Sequence, residues 1–426
     1  MQHVFGRPGE YLIHQVLEFD GSLDEGILRR AAELLVRAVP VLGCRFVPLE
    51  RGSCWELSPE RELSPLAFAR TADPERDLAR FVNFPLVPHC PSRFRLGLFR
   101  PPDGRDRLVF KVDHICCDGR GLHLTVLLFA SICRGLRRDP AYLPEREDPE
   151  SRCILRILRA LPEGRLLKAL SVGPTFPVAS PWGFPFRKLP PEGADFVLHR
   201  FEREDFRLLR AYARRWRVTF TDLLLTAYYR ALFDVLRPEA GVPMPLSVTV
   251  DLRRWYLTNP PREGVTGNMT GVETLMVARE ELEPFEATLE RVAGGMREIK
   301  AKGPGLSTAL FFEVLPRLGL SSGRAWLEEW AGSGADRLMP PLLSNLGDIG
   351  AEGGRISFGD LEATRGYLTG PALSPPSFLL CASTYDEELC LSAAFQRPCC
   401  SAEAIRPFLA LIEEELRAAR ILPPRR

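Results

Sequence analysis

The chain has 426 residues and carries 56 lysines and arginines against 55 aspartates and glutamates. So even a balance provides no field to gather nucleic acid or an anionic membrane, and 45% apolar with 26% charged residues is the make-up of a globular protein, not of a disordered or fibrous one. The length suits two lobes of about 200 residues each.

The first residues, MQHVFGRPGEYLIHQVLEF, lack a basic segment followed by an apolar run, and no later stretch reaches the ~20 apolar residues that span a bilayer. A cytoplasmic protein is expected. The eleven cysteines include no CxxC pair, so reduced thiols are expected. Two adjacent pairs, Cys116-Cys117 and Cys399-Cys400, would point to opposite faces of an extended chain, so no metal site is expected at either.

In chain order, Ser22 followed by Glu25 reads as a capping box opening a helix with Leu23, Ile27, Ala31, Leu34 and Ala38 on one face. Pro40 ends it, and VLGCRFVPL reads as a strand. RLVFKVDH, from Arg107 to His114, alternates with the period of a strand, and a helix is predicted from about Leu122 to Leu136. His114 thus stands at a strand end, before a loop and a helix.

Residues 138–192 are rich in proline and read as a crossover between lobes spanning 1–137 and 193–426. Within it, Arg152 to Leu161 forms a short basic amphipathic helix, which either packs on the surface or covers a substrate mouth. The second half predicts a strand near VLHRF, helices on Phe206 to Trp216 and through TDLLLTAYYRALFDVL, strands at PLSVTVDL and VETLMVA, and a helix from Phe285 to Ile299. Two further strands, FLLCAST and LCLSAAF, precede a final helix on Ile405 to Leu416.

The segment DHICCDG concentrates the chemistry. It offers an imidazole at a strand end, an aspartate four residues on and a glycine that frees the turn. Neutral imidazole can take a proton from an alcohol or amine near neutral pH. The same residues also serve as a core histidine, an ordinary helix N-cap at Asp118 and a turn glycine at Gly119. There is no GxSxG nucleophile elbow, Walker A loop or HExxH helix.

HxxxDG after a strand resembles the active-site motif of the acyltransferase superfamily that contains nonribosomal-peptide condensation domains, polyketide-associated acyltransferases, wax ester synthases and chloramphenicol acetyltransferase. Where that family has HHxxxDG, this chain has Asp113 in place of the first histidine and keeps the second as His114. GSLDEGILRRAAELLVRAVPVLGCRF, TFTDLLLTAYYRAL, SVTVDLRR, the GN of VTGNMTG and LLSNLGDIG are similar to further family landmarks, in order and over nearly the whole chain. The plant-type DFGWG motif is absent, which favours the bacterial and fungal alcohol-acyltransferase and polyketide-associated branches.

The resemblance implies an α/β (α+β) fold of two chloramphenicol-acetyltransferase-like lobes, each a mixed sheet covered by helices, with the active site in a channel between them. It implies His114 as general base, moving an acyl group from acyl-CoA or a carrier-protein-bound phosphopantetheine to a hydroxyl of a lipid, polyketide or other metabolite. An amide-forming condensation enzyme of peptide natural-product synthesis and a noncatalytic carrier-protein-binding homologue are the alternatives. No permanently bound cofactor is expected; the acyl thioester and a small-molecule acceptor are the partners, with an acyl or peptidyl carrier protein where the donor is so tethered.

Asp118 is implied as a structural aspartate, held by an arginine fork, with Arg45, Arg253 and Arg365 as candidates. Gly119 is expected to permit close passage of loop or substrate. Ser344 or Asn345 is the candidate donor to the oxyanion, against a plain polar turn between strands. Asn268 is the candidate donor-channel residue, against a routine Gly-Asn turn.

Overall fold

The computed structural model describes residues 11–48, 53–57, 65–84, 86, 93–172, 180–255, 266–314, 325, 338–352 and 354–421. Cys90 and the first ten residues, read above from sequence, lie outside them.

The first sheet contains β1 (Leu12–Phe19), β4 (Leu66–Arg70), β5 (Phe94–Arg100) and β6 (Arg107–Asp113), with β2 (Cys44–Pro48) and β3 (Ser53–Leu57) forming a separate hairpin. Its helices are α1 (Glu25–Ala38), α2 (Pro74–Asn83) and α3 (Gly119–Arg138). Ile13 and Leu17 of β1 and Leu108, Phe110 and Val112 of β6 point to one side, where Leu28, Leu35, Val126 and Phe129 of α1 and α3 close a dry core, as the two-residue period of a strand requires. The predicted Ser22 cap is displaced by two residues. Asp24 accepts from the Ile27 amide, while the Ser22 hydroxyl donates to the Gly104 carbonyl, because the chain there turns back against the 101–106 loop.

The second sheet has the order β7 (Gly193–Arg200), β13 (Glu388–Arg397), β12 (Leu379–Tyr385), β10 (Leu342–Asp348), β8 (Pro243–Asp251) and β9 (Thr270–Ala278). Strand β12 is central and all seven of its residues are buried, as expected of a strand covered on both faces. Its pairing with β10 is parallel and with β13 antiparallel, so the sheet is mixed. Helices α6 (Arg203–Arg215), α7 (Phe220–Leu236), α8 (Phe285–Ala301) and α10 (Ala402–Ile421) cover one face around Leu224, Tyr228, Leu246, Leu380 and Leu409.

One boundary read from sequence needs correction. After β10 the chain leaves the second lobe, and β11 (Ala363–Thr369) pairs antiparallel with β1 as the edge of the first sheet. Ile349, Ile356 and Phe358 sink into the first core, where Phe358 meets Phe19 edge-on at 5.3 Å. Residues of about 349–369 therefore belong to the first lobe, because the free edge of β1 offers backbone pairing and an apolar site together.

The crossover carries two helices, α4 (Ile154–Ala160) and α5 (Glu163–Val172). Ile157 and Leu158 of the basic amphipathic stretch are buried with Leu252, Trp255, Met269 and Leu306, the last from α9 (Leu306–Val314). The crossover thus packs beside the segment that bears Asn268. Among the described residues no helix is long and apolar enough to cross a membrane.

Candidate active site

Strand β6 delivers its last residue, Asp113, to a tight turn, and His114 opens that turn. The His114 amide donates to the Tyr11 carbonyl at 2.8 Å. Asp113 accepts from the Ile115 amide at 3.1 Å and from Arg93 at 3.2 Å. An aspartate with these contacts shapes the turn and leaves the imidazole of His114 as the ring at this strand end.

Asn268, from the second lobe, meets His114 across the seam. Its Nδ2 lies 3.1 Å from His114 Nδ1 and 3.1 Å from the His114 carbonyl, so the two N–H bonds of one amide fix both ring and backbone. Donation to Nδ1 puts the resting proton on Nε2. Acceptance of a proton at Nε2 then follows a tautomer exchange, and acceptance at Nδ1 follows withdrawal of Asn268. The predicted donor-channel residue is thus a direct neighbour of the imidazole.

Asp118 is the N-cap of α3, and its Oδ1 accepts from the Gly121 amide at 2.7 Å. Arg253 supplies both forks at 3.0 Å, selecting it from the three predicted arginines. Arg45 pairs instead with Glu56 and Arg365 with Glu388. The Met269 amide at 2.7 Å and the Thr270 hydroxyl at 3.1 Å complete the shell around Oδ2.

Asp118 is only 3% exposed. Burial pushes its carboxyl up, but the Arg253 charge, the Arg253 fork and the Gly121 and Met269 amides outweigh this and hold it below the usual carboxylate range. The carboxylate therefore stays ionised and belongs to the scaffold. Met269 and Thr270 follow Asn268 directly, so one ion pair sets both sides of the seam around His114.

Glycine is needed twice at the start of α3. A side chain at Gly119 would meet Leu346 of β10 at 2.4 Å, and one at Gly121 would meet Cys117 at 2.8 Å and the Gly267 carbonyl at 2.9 Å. Gly121 was not singled out from the sequence, although DGRG displays it; part of its need arises from the Gly267 carbonyl, which only the fold brings there. Cys116 and Cys117 are fully buried, and burial above all pushes both thiols up, away from the thiolate form that nucleophilic attack or metal binding needs. Among the described residues no group of three or more His, Cys, Asp or Glu is placed to hold a metal ion.

The two oxyanion candidates diverge. Asn345 donates to the Thr221 hydroxyl at 3.0 Å and accepts from the Gly347 amide at 3.1 Å, so its side chain ties β10 to the start of α7. Ser344 points to the other face, where its Oγ accepts from Thr249 at 3.1 Å. That bond leaves the Ser344 hydroxyl proton available.

Nearby, Glu147 accepts from the Thr266 amide at 2.6 Å, and burial raises its carboxyl to about 7 against the pull of Thr266, Arg152 and Arg253. Arg152 donates to the Cys116 carbonyl at 2.7 Å. Glu147 does not stand out in the sequence, and Arg152 stands out there only as part of a basic helix, because each acts through a contact made only in the fold.

No protein-family model matches this chain, and no curated protein matches it by sequence. Solved structures match over nearly its whole length. The trichothecene 15-O-acetyltransferase TRI3 of Fusarium sporotrichioides aligns with a TM-score of 0.74 at 13% identity, covering 97% of this chain and 91% of that one. The first condensation domain of the calcium-dependent antibiotic synthetase aligns with a TM-score of 0.71 at 18% identity, covering 98% and 93%. Polyketide synthase associated protein 5 of Mycobacterium tuberculosis aligns with a TM-score of 0.67 at 16% identity, covering 98% and 95%. The chain therefore has the two-lobed chloramphenicol-acetyltransferase-like fold of condensation domains and acyltransferases, as the resemblance implied.

Proposed function

We propose that this chain is an acyltransferase that moves an acyl group from a thioester donor to a hydroxyl, with His114 as general base. The observation that carries the reading is the position of His114: a ring on the seam, held by Asn268 of the other lobe, beside a buried Asp118–Arg253 fork that has no free charge to offer.

In this reading a ring nitrogen of His114 takes the proton of the acceptor O–H as its oxygen attacks the thioester carbonyl. The Ser344 hydroxyl supports the oxyanion of the tetrahedral intermediate. Collapse breaks the carbon–sulfur bond, and the leaving thiolate takes the proton from the imidazolium. No acyl-enzyme is formed, and no permanently bound cofactor takes part. The donor is acyl-CoA or a phosphopantetheine-bound acyl group on a carrier protein.

An amine acceptor fits the same steps, and the aligned structures include both an O-acetyltransferase and a condensation domain. The SN-containing segment, placed as in bacterial and fungal alcohol acyltransferases, favours the hydroxyl. A noncatalytic carrier-binding role is the remaining reading. Turnover of a panel of acyl-CoAs with alcohols and amines, in wild type and His114→Ala, separates the three: ester formation lost in the variant supports the proposal, amide formation redirects it, and binding without turnover overturns it.

A further inference from the structure

At the other end of β6 from His114 lies an open cavity of about 820 Å³, lined by residues of the first lobe and by Arg203 of the second. Arg107 begins β6 and lines this cavity, so seven residue steps of about 3.4 Å, roughly 24 Å, separate it along the strand from His114. Val16, Val109, Tyr367 and Phe196 pack together between the two places. The cavity is therefore distinct from the candidate active site.

Its wall is rich in guanidinium groups, Arg105, Arg107, Arg203, Arg355 and Arg365, of which Arg107 is paired with Glu75 and Arg365 with Glu388. The decisive feature is the pair Arg203 and Arg355, from different parts of the chain. Both bind the same carboxylate oxygen, Asp386 Oδ2, at 2.8 Å and 2.7 Å. Asp386 is the carboxylate that touches both guanidinium ions, with Glu362 acting on Arg355 from further away, and each guanidinium has five N–H donors of which these contacts use one or two. Arg203 is also the first residue of α6, whose N-cap residue Glu202 makes no side-chain hydrogen bond. The positive end of that helix adds to the same spot.

The turn that presents Asp386 is strained. Asp386 and its neighbour Glu387 have φ of 46° and 62°, values suited to the Asn-Gly of a two-residue hairpin. Here two carboxylates stand instead, and Glu387 holds Arg207.

The opposite wall is acidic, but most of it is engaged. Glu18 binds Arg200, and buried Asp106 binds Arg100. Asp103 lies 3.9 Å from Arg105, and Asp20 faces the cavity. A ligand that satisfies both walls has an anionic group for Arg203 and Arg355 and a hydroxyl or amino donor for Asp20 and Asp103.

We propose that this cavity is a second binding site, for a small phosphorylated or carboxylated metabolite that also carries hydroxyl or amino groups. Because both lobes line it, an occupant would bridge them at a distance from His114.

The test is calorimetric titration of the full chain with glycerol phosphate and, separately, with malate, at ionic strength matched with sodium chloride. Wild type, Arg203→Gln/Arg355→Gln and His114→Ala are compared. The expected result is saturable binding of at least one ligand, weakened tenfold or more in the double variant and unchanged in His114→Ala, with the two arms telling phosphate from carboxylate. No saturable binding of either ligand, or binding that the double variant keeps, overturns the proposal. Circular dichroism of the double variant, expected to match wild type because both arginines are part-exposed, distinguishes lost binding from lost fold. Should it fail to fold, the single variant Arg203→Gln carries the same test.

Discussion

The two ends of the lobe seam are both held by arginine–carboxylate contacts, yet they are built to opposite specifications. Beside His114, one pair, Asp118 and Arg253, is nearly dry, with side chains 4% and 10% exposed, and the carboxylate accepts from Arg253, two backbone amides and a hydroxyl. At the far end, Arg200 reaches Glu18 and Glu388, Arg365 reaches Glu388, and Arg203 and Arg355 share Asp386, with Glu18, Arg203, Arg355 and Arg365 lining an open cavity. A buried, saturated pair fixes geometry, because losing one partner strands the other without water. A wetter chain of pairs exchanges partners at little cost. The near end is accordingly a rigid mount for the His114 ring, and the far end an adjustable contact.

The sharpest way to break this contrast is Arg253→Met, which strands Asp118. It is expected to cost about 3–5 kcal/mol of stability in urea unfolding. The pH dependence follows: the depressed carboxyl of Asp118 contributes stability that is present above its unfolded value of about 3.9 and lost as pH falls through the lower folded value, so the gap between wild type and variant should be widest near neutral pH and narrow in acid. An equal loss from Arg365→Gln would erase the distinction between the ends.

Next in size is Gly121→Ala, expected to cost about 1–3 kcal/mol, since the new methyl meets the Gly267 backbone. Gly119→Ala should cost less, because the end of the Leu346 side chain can yield. Thermal unfolding of the two variants checks the order.

Glu147→Gln tests the electrostatics near the site in the opposite direction. A carboxyl raised to about 7 by burial destabilises the fold as pH rises from the unfolded value of about 4.3 through 7. The variant should therefore gain on wild type at pH 8 compared with pH 5, as read from unfolding midpoints at the two pH values. Smallest is Arg365→Gln, whose arginine is 53% exposed; it should change stability by about 0–1 kcal/mol, and less in high salt.

What the sequence disclosed follows the range of the interactions. His114, Asp118 and Gly119 lie within six residues and carry the family resemblance, so they were readable together. Alternation and helical period likewise exposed β6, α3 and the helices of the second lobe. Arg253 could be named only as one of three, since its fork closes over a separation of 135 residues. Ser344 and Asn345 could not be told apart, because adjacent strand residues face opposite ways and only the sheet shows which side meets the seam. The transfer of β11 to the first sheet left no trace in periodicity, because a strand pattern names its faces and not its neighbours.

The most direct test of the central claim is thioester turnover by His114→Ala, measured beside its unfolding midpoint. The account predicts that acyl transfer falls by about 10²- to 10⁴-fold while the midpoint stays at the wild-type value, since the ring is part-exposed and the Asp118–Arg253 mount does not depend on it. Turnover undiminished in the variant would contradict His114 as the base.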